Sequence, residues 1–185
     1  MNPKNESGLH PGWETTLASV IETAGPFLAN GTVSGLFLGD ELCCSGVPFA
    51  NLTNVADFAK ARMQPFCGAA TTTCGLIYTN ECIRPLNDSY TGHIFYIPSI
   101  PKSIDIFSMD YYCADPKFGG SCQVGIVNEA AHVRKLYSQY IVPKLSSPHQ
   151  RLWAIPGTFW DLNETRSGSR DKQDAEIAQK MDGYR

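Results

Sequence analysis

Amphipathic segments and wholly apolar runs take turns along this chain, and few folds accommodate that alternation. Apolar residues recur at helical spacing at Trp13, Leu17, Val20, Ile21 and Ala24, and Pro26 and Gly31 punctuate the end. "VSGLFLG" then reads as a short, fully buried strand. Asn51 or Thr53 is placed to cap a second helix with Leu52, Val55, Phe58, Ala59 and Met63 on its inner face, closed by Pro65. "GLIYTNE" is a second strand. The loop from Arg84 to Lys102 is rich in Pro, Asn and Ser and holds one short apolar piece, "HIFYI". "SIDIFSMDYY" is a third strand, followed by a loop with Gly119, Gly120 and Gly125. A long helix then carries Val133, Leu136, Tyr137, Tyr140 and Ile141 on one face, stopped at Pro143. "RLWAIPGTF" is a fourth strand, and in the charged tail Ile177, Met181 and Tyr184 keep a weak helical stripe.

The order is α-β-α-β-(loop)-β-α-β-α, which argues for a parallel sheet with crossover helices. An open doubly wound sheet and part of an eight-stranded barrel both satisfy it. The nucleotide-binding version of the open sheet wants a glycine-rich turn after the first strand, and here that strand ends in Asp40 and Glu41. A P-loop is absent too. The barrel fits better because every strand ends in polar or aromatic residues, and the C-terminal strand ends of a barrel form its active site. Strand one supplies Asp40 and Glu41, strand two Tyr78, Asn80 and Glu81, strand three Asp110, Tyr111 and Tyr112. Strand four supplies Thr158, Phe159, Trp160 and Asp161. A whole barrel needs ~250 residues and eight strands. This chain has 185 residues and about four such segments.

Charge and cysteine content narrow the setting. A formal charge of -3 gives no basic footprint for nucleic acid. No apolar run approaches the ~20 residues of a membrane span. Seven cysteines are many for a cytosolic chain of this length, and five Asn-x-Ser/Thr sequons occur, at Asn5, Asn30, Asn51, Asn87 and Asn163. The start, "MNPKNESGLHPGW", lacks the apolar core of a signal peptide. The expectation is a secretory-pathway protein whose export signal is not in this sequence. Cys67 with Cys74 and Cys113 with Cys122 have spacings that permit short stapling disulfides, and Cys43 or Cys44 can reach Cys82. The odd cysteine is expected to pair outside the chain. A zinc site would want a Cys-x2-Cys pair, and none occurs. The histidines, His10, His93, His132 and His149, read as surface or satisfied core residues.

Carboxylates at three strand ends, Glu41, Glu81 and Asp110, are expected to converge on one pocket. Glycoside hydrolysis requires such a pair: one acid protonates the leaving oxygen, the other attacks the sugar or activates water. Tyr78, Tyr111, Tyr112 and Trp160 would suit the apolar faces of sugar rings, with Asp40 and Asn80 as further substrate-binding residues. The bland reading of the same acids is helix capping or pairing with Arg62, Arg84 or Arg134.

"GLFLGDEL" resembles the fourth strand of glycoside-hydrolase (β/α)8 barrels, an apolar strand ending in an Asp-Glu pair, and "SIDIFSMDYY" resembles their sixth. The similarity runs from about Trp13 to Asp161 and implies a partial barrel, about strands four to seven with their helices. It implies residues 1–185 as one incomplete domain, with a core of 13–161 and a tail of 162–185. It also implies Glu41 as general acid, Asp40 as the neighbour shaping its hydrogen bonds, and Asp110 and Tyr111 as substrate-facing. The pattern departs at the seventh strand, where retaining members carry a nucleophilic Glu and this chain reads "AIPGTFWD". Glu81, Asp110 or the substrate itself would then stand in for the second acid. The general acid must stay protonated, which asks for burial or a like-charged neighbour. Strand alternation should send Asp40 and Glu41 to opposite sides, with Glu41 in the pocket. The expected partner is a carbohydrate; no cofactor is implied, and the oligomeric state is left undetermined. The other readings are a non-catalytic carbohydrate-binding relative and a hydrolase holding a divalent cation between Glu41, Glu81 and Asp110.

Overall fold

The computed structural model describes residues 9–68, 73–111 and 134–156. The chain divides into two compact units: Met1–Ser108 with Lys144–Trp153, and Met109–Pro143 with Ala154–Arg185. Its elements run α1 (Trp13–Ala29), β1 (Gly35–Asp40), α2 (Phe49–Cys67), β2 (Leu76–Glu81), β3 (Ile106–Tyr111) and β4 (Arg151–Pro156). The four strands form one parallel sheet in the order β1-β2-β3-β4. The sheet is open; among the described residues it does not close into a barrel.

In the first unit α1 packs on α2, and α2 packs on β1 and β2. Ile21 and Leu28 of α1 and Leu52, Ala56, Ala59 and Met63 of α2 are buried. The inner face of α2 therefore rotates slightly from the expected one: Val55 and Phe58 are half-buried, and Phe58 instead meets the Trp13 ring edge-on at 5.2 Å. Both helices run past the proline expected to end them. Pro26 lies inside α1 and Pro65 inside α2. A proline loses its own N–H, but its carbonyl still accepts, so one more turn can form; Asn30 donates to Pro26 O at 3.2 Å. Neither expected cap starts α2. The helix begins after Pro48, and the Thr53 hydroxyl donates back to Phe49 O.

Asp105 pins the lower ends of the strands. Its side chain accepts the Ile77 N–H at 2.8 Å and the Lys60 ammonium at 2.7 Å, and its carbonyl accepts the Arg151 N–H at 2.8 Å. The long loop after β2 contains no strand at "HIFYI"; it forms short 3-10 turns at Arg84–Leu86 and Asp88–Tyr90. Lys144 clasps this loop through Asp88 at 2.9 Å and the Tyr96 hydroxyl at 3.0 Å.

In the second unit the expected long helix is described from residue 134. It widens into a π-helical turn over Tyr137–Ile141, with Leu136 and Ile141 buried. Pro143 does not stop the chain outright, because a 3-10 turn carries it through Val142–Lys144. Val133, His132, the glycine loop, the Cys113–Cys122 pair, Thr158, Phe159 and the 162–185 tail lie outside the described residues.

Candidate functional site at the strand ends

The β1–β2 pairing explains how the polar strand tips are aimed. Gly35, Leu36 and Phe37 face Leu76, Ile77 and Tyr78 in turn, but Asp40 faces Asn80, so β1 spends one extra residue on the way. The bulge falls at Gly39, whose φ of 153° favours glycine and where a Cβ would press on the Leu42 side chain at 2.9 Å. Without it, Asp40 would stand opposite Glu81. With it, Asp40 shares the face of Phe37, Tyr78 and Asn80, and Asn80 Nδ2 donates to its carboxylate at 2.6 Å.

A continuous polar chain follows on this face. Ser108 Oγ donates to Asn80 Oδ1 at 2.6 Å, and the Tyr78 hydroxyl meets Ser108 Oγ at 2.8 Å. Beside it runs an aromatic row. Phe37 stacks on Tyr78 with centroids 4.8 Å apart, and Tyr78 lies 5.2 Å from the Trp153 ring. Phe37 and Trp153 are about half exposed, at 51% and 50%. The small Ser108 on the intervening strand lets Tyr78 and Trp153 meet across it.

Glu81 stands elsewhere. Strand alternation puts it with Ile77 and Thr79, away from Tyr78 and Asn80. It is wholly buried, and its two oxygens accept the N–H groups of Cys43 at 2.9 Å and Cys44 at 3.0 Å. The Cys43 thiol donates to it as well. Burial pushes the Glu81 carboxyl up to about 7; the three hydrogen bonds pull the other way, and the Glu41 charge adds to the rise. Burial likewise raises the Cys43 thiol well above the usual thiol range, helped by the Glu81 charge. Glu81 is thus an anchor for the loop after β1. It is turned away from the face that carries Asp40, and its donors leave it ill-suited to holding a divalent cation.

Glu41 lies just past β1, with φ at 49°, the one described non-glycine residue in that region. Its backbone N–H donates to Asn80 O at 2.8 Å. The expectation put Glu41 in the pocket and Asp40 behind it; through the bulge it is Asp40 that joins the aromatic face, held by Asn80. A Glu41 carboxylate oxygen and the Cys44 and Cys82 sulfurs lie within 4.8 Å of one another. Those sulfurs are joined as a disulfide and offer no thiolate to a metal.

Of the cysteine pairs, Cys44–Cys82 and Cys67–Cys74 are bonded. They fit an extracellular or secretory setting. Among the described cysteines Cys43 is the unbonded one; it is buried and faces Glu81, so a bridge outside the chain does not start from it. Asp110 and Tyr111 end β3 in the second unit, where Asp110 is buried and the Tyr137 hydroxyl donates to Met109 O at 3.3 Å. The side chain of Tyr111, and Tyr112, Trp160 and Asp161, lie outside the described residues. Phe37, Ser108 and Trp153 were missed by reading strand tips alone. Their signal was register: one residue per strand, mid-strand, on the face of Tyr78.

No protein-family model, curated protein or solved structure matches this chain.

Proposed function

We propose that this protein is a carbohydrate-active member of the glycoside-hydrolase barrel type, with Glu41 as proton donor. The observation that carries the reading is the exposed aromatic row of Phe37, Tyr78 and Trp153 bordered by the Asp40–Asn80–Ser108 chain. Ring faces match the apolar faces of sugars, and the polar chain offers donors and acceptors for their hydroxyls. The strand order supports the barrel. A doubly wound sheet reverses its order at a switch point, whereas β1-β2-β3-β4 runs in sequence without reversal. In the first unit the β1–β2 crossover helix α2 packs on these strands, while Phe37 and Trp153 of the aromatic row stay about half exposed.

In this reading Glu41 protonates the departing glycosidic oxygen. Its left-handed backbone is the kind of local strain that persists when the surroundings hold it, here through Glu81 fixing the next residues of the loop. The chain belongs to a secreted protein in this reading. A non-catalytic carbohydrate-binding relative is the second reading, favoured by Glu81 being committed to the loop.

The test is a panel of oligosaccharides titrated by tryptophan fluorescence and assayed for hydrolysis. Binding weakened by Trp153→Ala and Asp40→Ala is expected, with Glu41→Gln binding normally but turning over ~10²–10⁴-fold more slowly. Binding without turnover in the wild type would favour the second reading. Binding unaffected by the Trp153 and Asp40 changes would refute both.

A further inference from the structure

We infer that Asn30 is an N-glycosylation site of this protein and that Asn51, in the same sequence motif, is not. The inference rests on passage through a secretory compartment and is independent of the hydrolase reading. Sequence alone treats Asn30-Gly31-Thr32 and Asn51-Leu52-Thr53 alike. Tertiary structure separates them.

Asn30 is the residue after α1, and Asn30, Gly31 and Thr32 are all exposed. Gly31 turns the chain with φ at 77°, and a Cβ there would meet nothing within 4 Å, so the tripeptide stands in open space. Asn30 Oδ1 accepts the Thr32 N–H at 3.0 Å. That bond holds the carbonyl end of the amide against the chain, and the amide nitrogen is the end presented for transfer. The other motif is folded into the first turn of α2. Leu52 is 2% exposed, the Thr53 hydroxyl is engaged by Phe49 O at 3.1 Å, and Asn51 Nδ2 is itself buried without a hydrogen-bond partner. A sugar on that nitrogen has no room while α2 stays packed.

The modification joins Asn30 Nδ2 to the anomeric carbon of an oligosaccharide carried on a lipid pyrophosphate. The nitrogen loses one proton, and the lipid pyrophosphate leaves with the electron pair of the broken carbon–oxygen bond. Transfer onto a nascent chain can reach either asparagine, but a chain modified at Asn51 cannot bury that amide nitrogen and is lost from the folded pool.

To test this, the full chain is secreted from a eukaryotic host behind an added signal peptide. The monomeric, disulfide-intact fraction is treated with a peptide amidase that removes N-glycans in heavy-oxygen water, and the peptides are mapped by mass spectrometry. The expected result is heavy-oxygen aspartate at position 30 and unmodified asparagine at position 51. Asn30→Gln should be secreted with the same thermal stability and lighter by one glycan. An unmodified Asn30 in the folded fraction overturns the inference. So does a glycan at Asn51 there, or an Asn30→Gln variant with unchanged glycan mass.

Discussion

Glu81→Gln should remove a pH dependence that one buried carboxyl imposes on the whole first unit. Glu81 ionises near 4.5 in an unfolded chain and at about 7 in the fold. Between those values the folded protein holds a proton that the unfolded chain has released, so stability falls as pH rises. The contribution is fully present below about pH 4.5 and declines through about pH 7. At ~1.4 kcal/mol per pH unit, the loss from pH 5 to pH 8 is on the order of 2–3 kcal/mol. Among the described residues, the other shifted groups act outside this range. The Cys43 thiol is raised and keeps its proton across this range. Asp88, lowered by its hydrogen bonds to Tyr96 and Lys144, acts below it. Lys144, raised by those same partners against the pull of burial, acts above it. The substituted amide supplies one acceptor oxygen where the two N–H groups of Cys43 and Cys44 need two, an unmet bond that costs ~1–3 kcal/mol at every pH. The variant should therefore be weaker than wild type at pH 5 and approach it at pH 8. Urea unfolding followed by tryptophan fluorescence at half-unit pH steps reads both curves. Parallel curves would refute the placement of a titrating carboxyl at this site.

The two disulfides should rank by the loops they close. Replacing Cys44 and Cys82 by serine, 38 residues apart, should cost about 4 kcal/mol, and replacing Cys67 and Cys74, 7 apart, about 2 kcal/mol, in non-reducing urea titrations. Gly35→Ala should cost more than Gly25→Ala. The first Cβ would meet the Leu76 backbone carbonyl on the paired strand, while the second meets the Phe66 ring, which can turn aside. Overpacking of this kind costs ~1–3 kcal/mol, and equal melting temperatures for the two variants would contradict the distinction.

The strands and their parallel order were legible because burial of short apolar runs leaves a strong pattern. "GLIYTNE" overlays β2, β4 is the start of "RLWAIPGTF", and both helices begin or centre where periodicity places them. The Cys67–Cys74 and Cys44–Cys82 pairs were within reach as well, since neighbouring parallel strands bring the residues after their ends together. The sequence by itself thus determined the α/β class, the strand tips as the polar end, and the residues from which a site can be made.

Only the tertiary structure decided which of those residues share a face. A strand changes sides every residue, so a single bulge reverses the outcome, and nothing in "LGDE" announces that β1 spends an extra residue at Gly39. That bulge gives Asp40 to the aromatic row, while the phase of β2 gives Glu81 to the interior. Burial then did what composition cannot: it turned one of three apparent catalytic acids into the anchor of a loop. It also made the Asn30 sequon accessible and the Asn51 sequon not. Short-range pattern sets secondary structure, but register and packing are long-range, and they assign each side chain its neighbours.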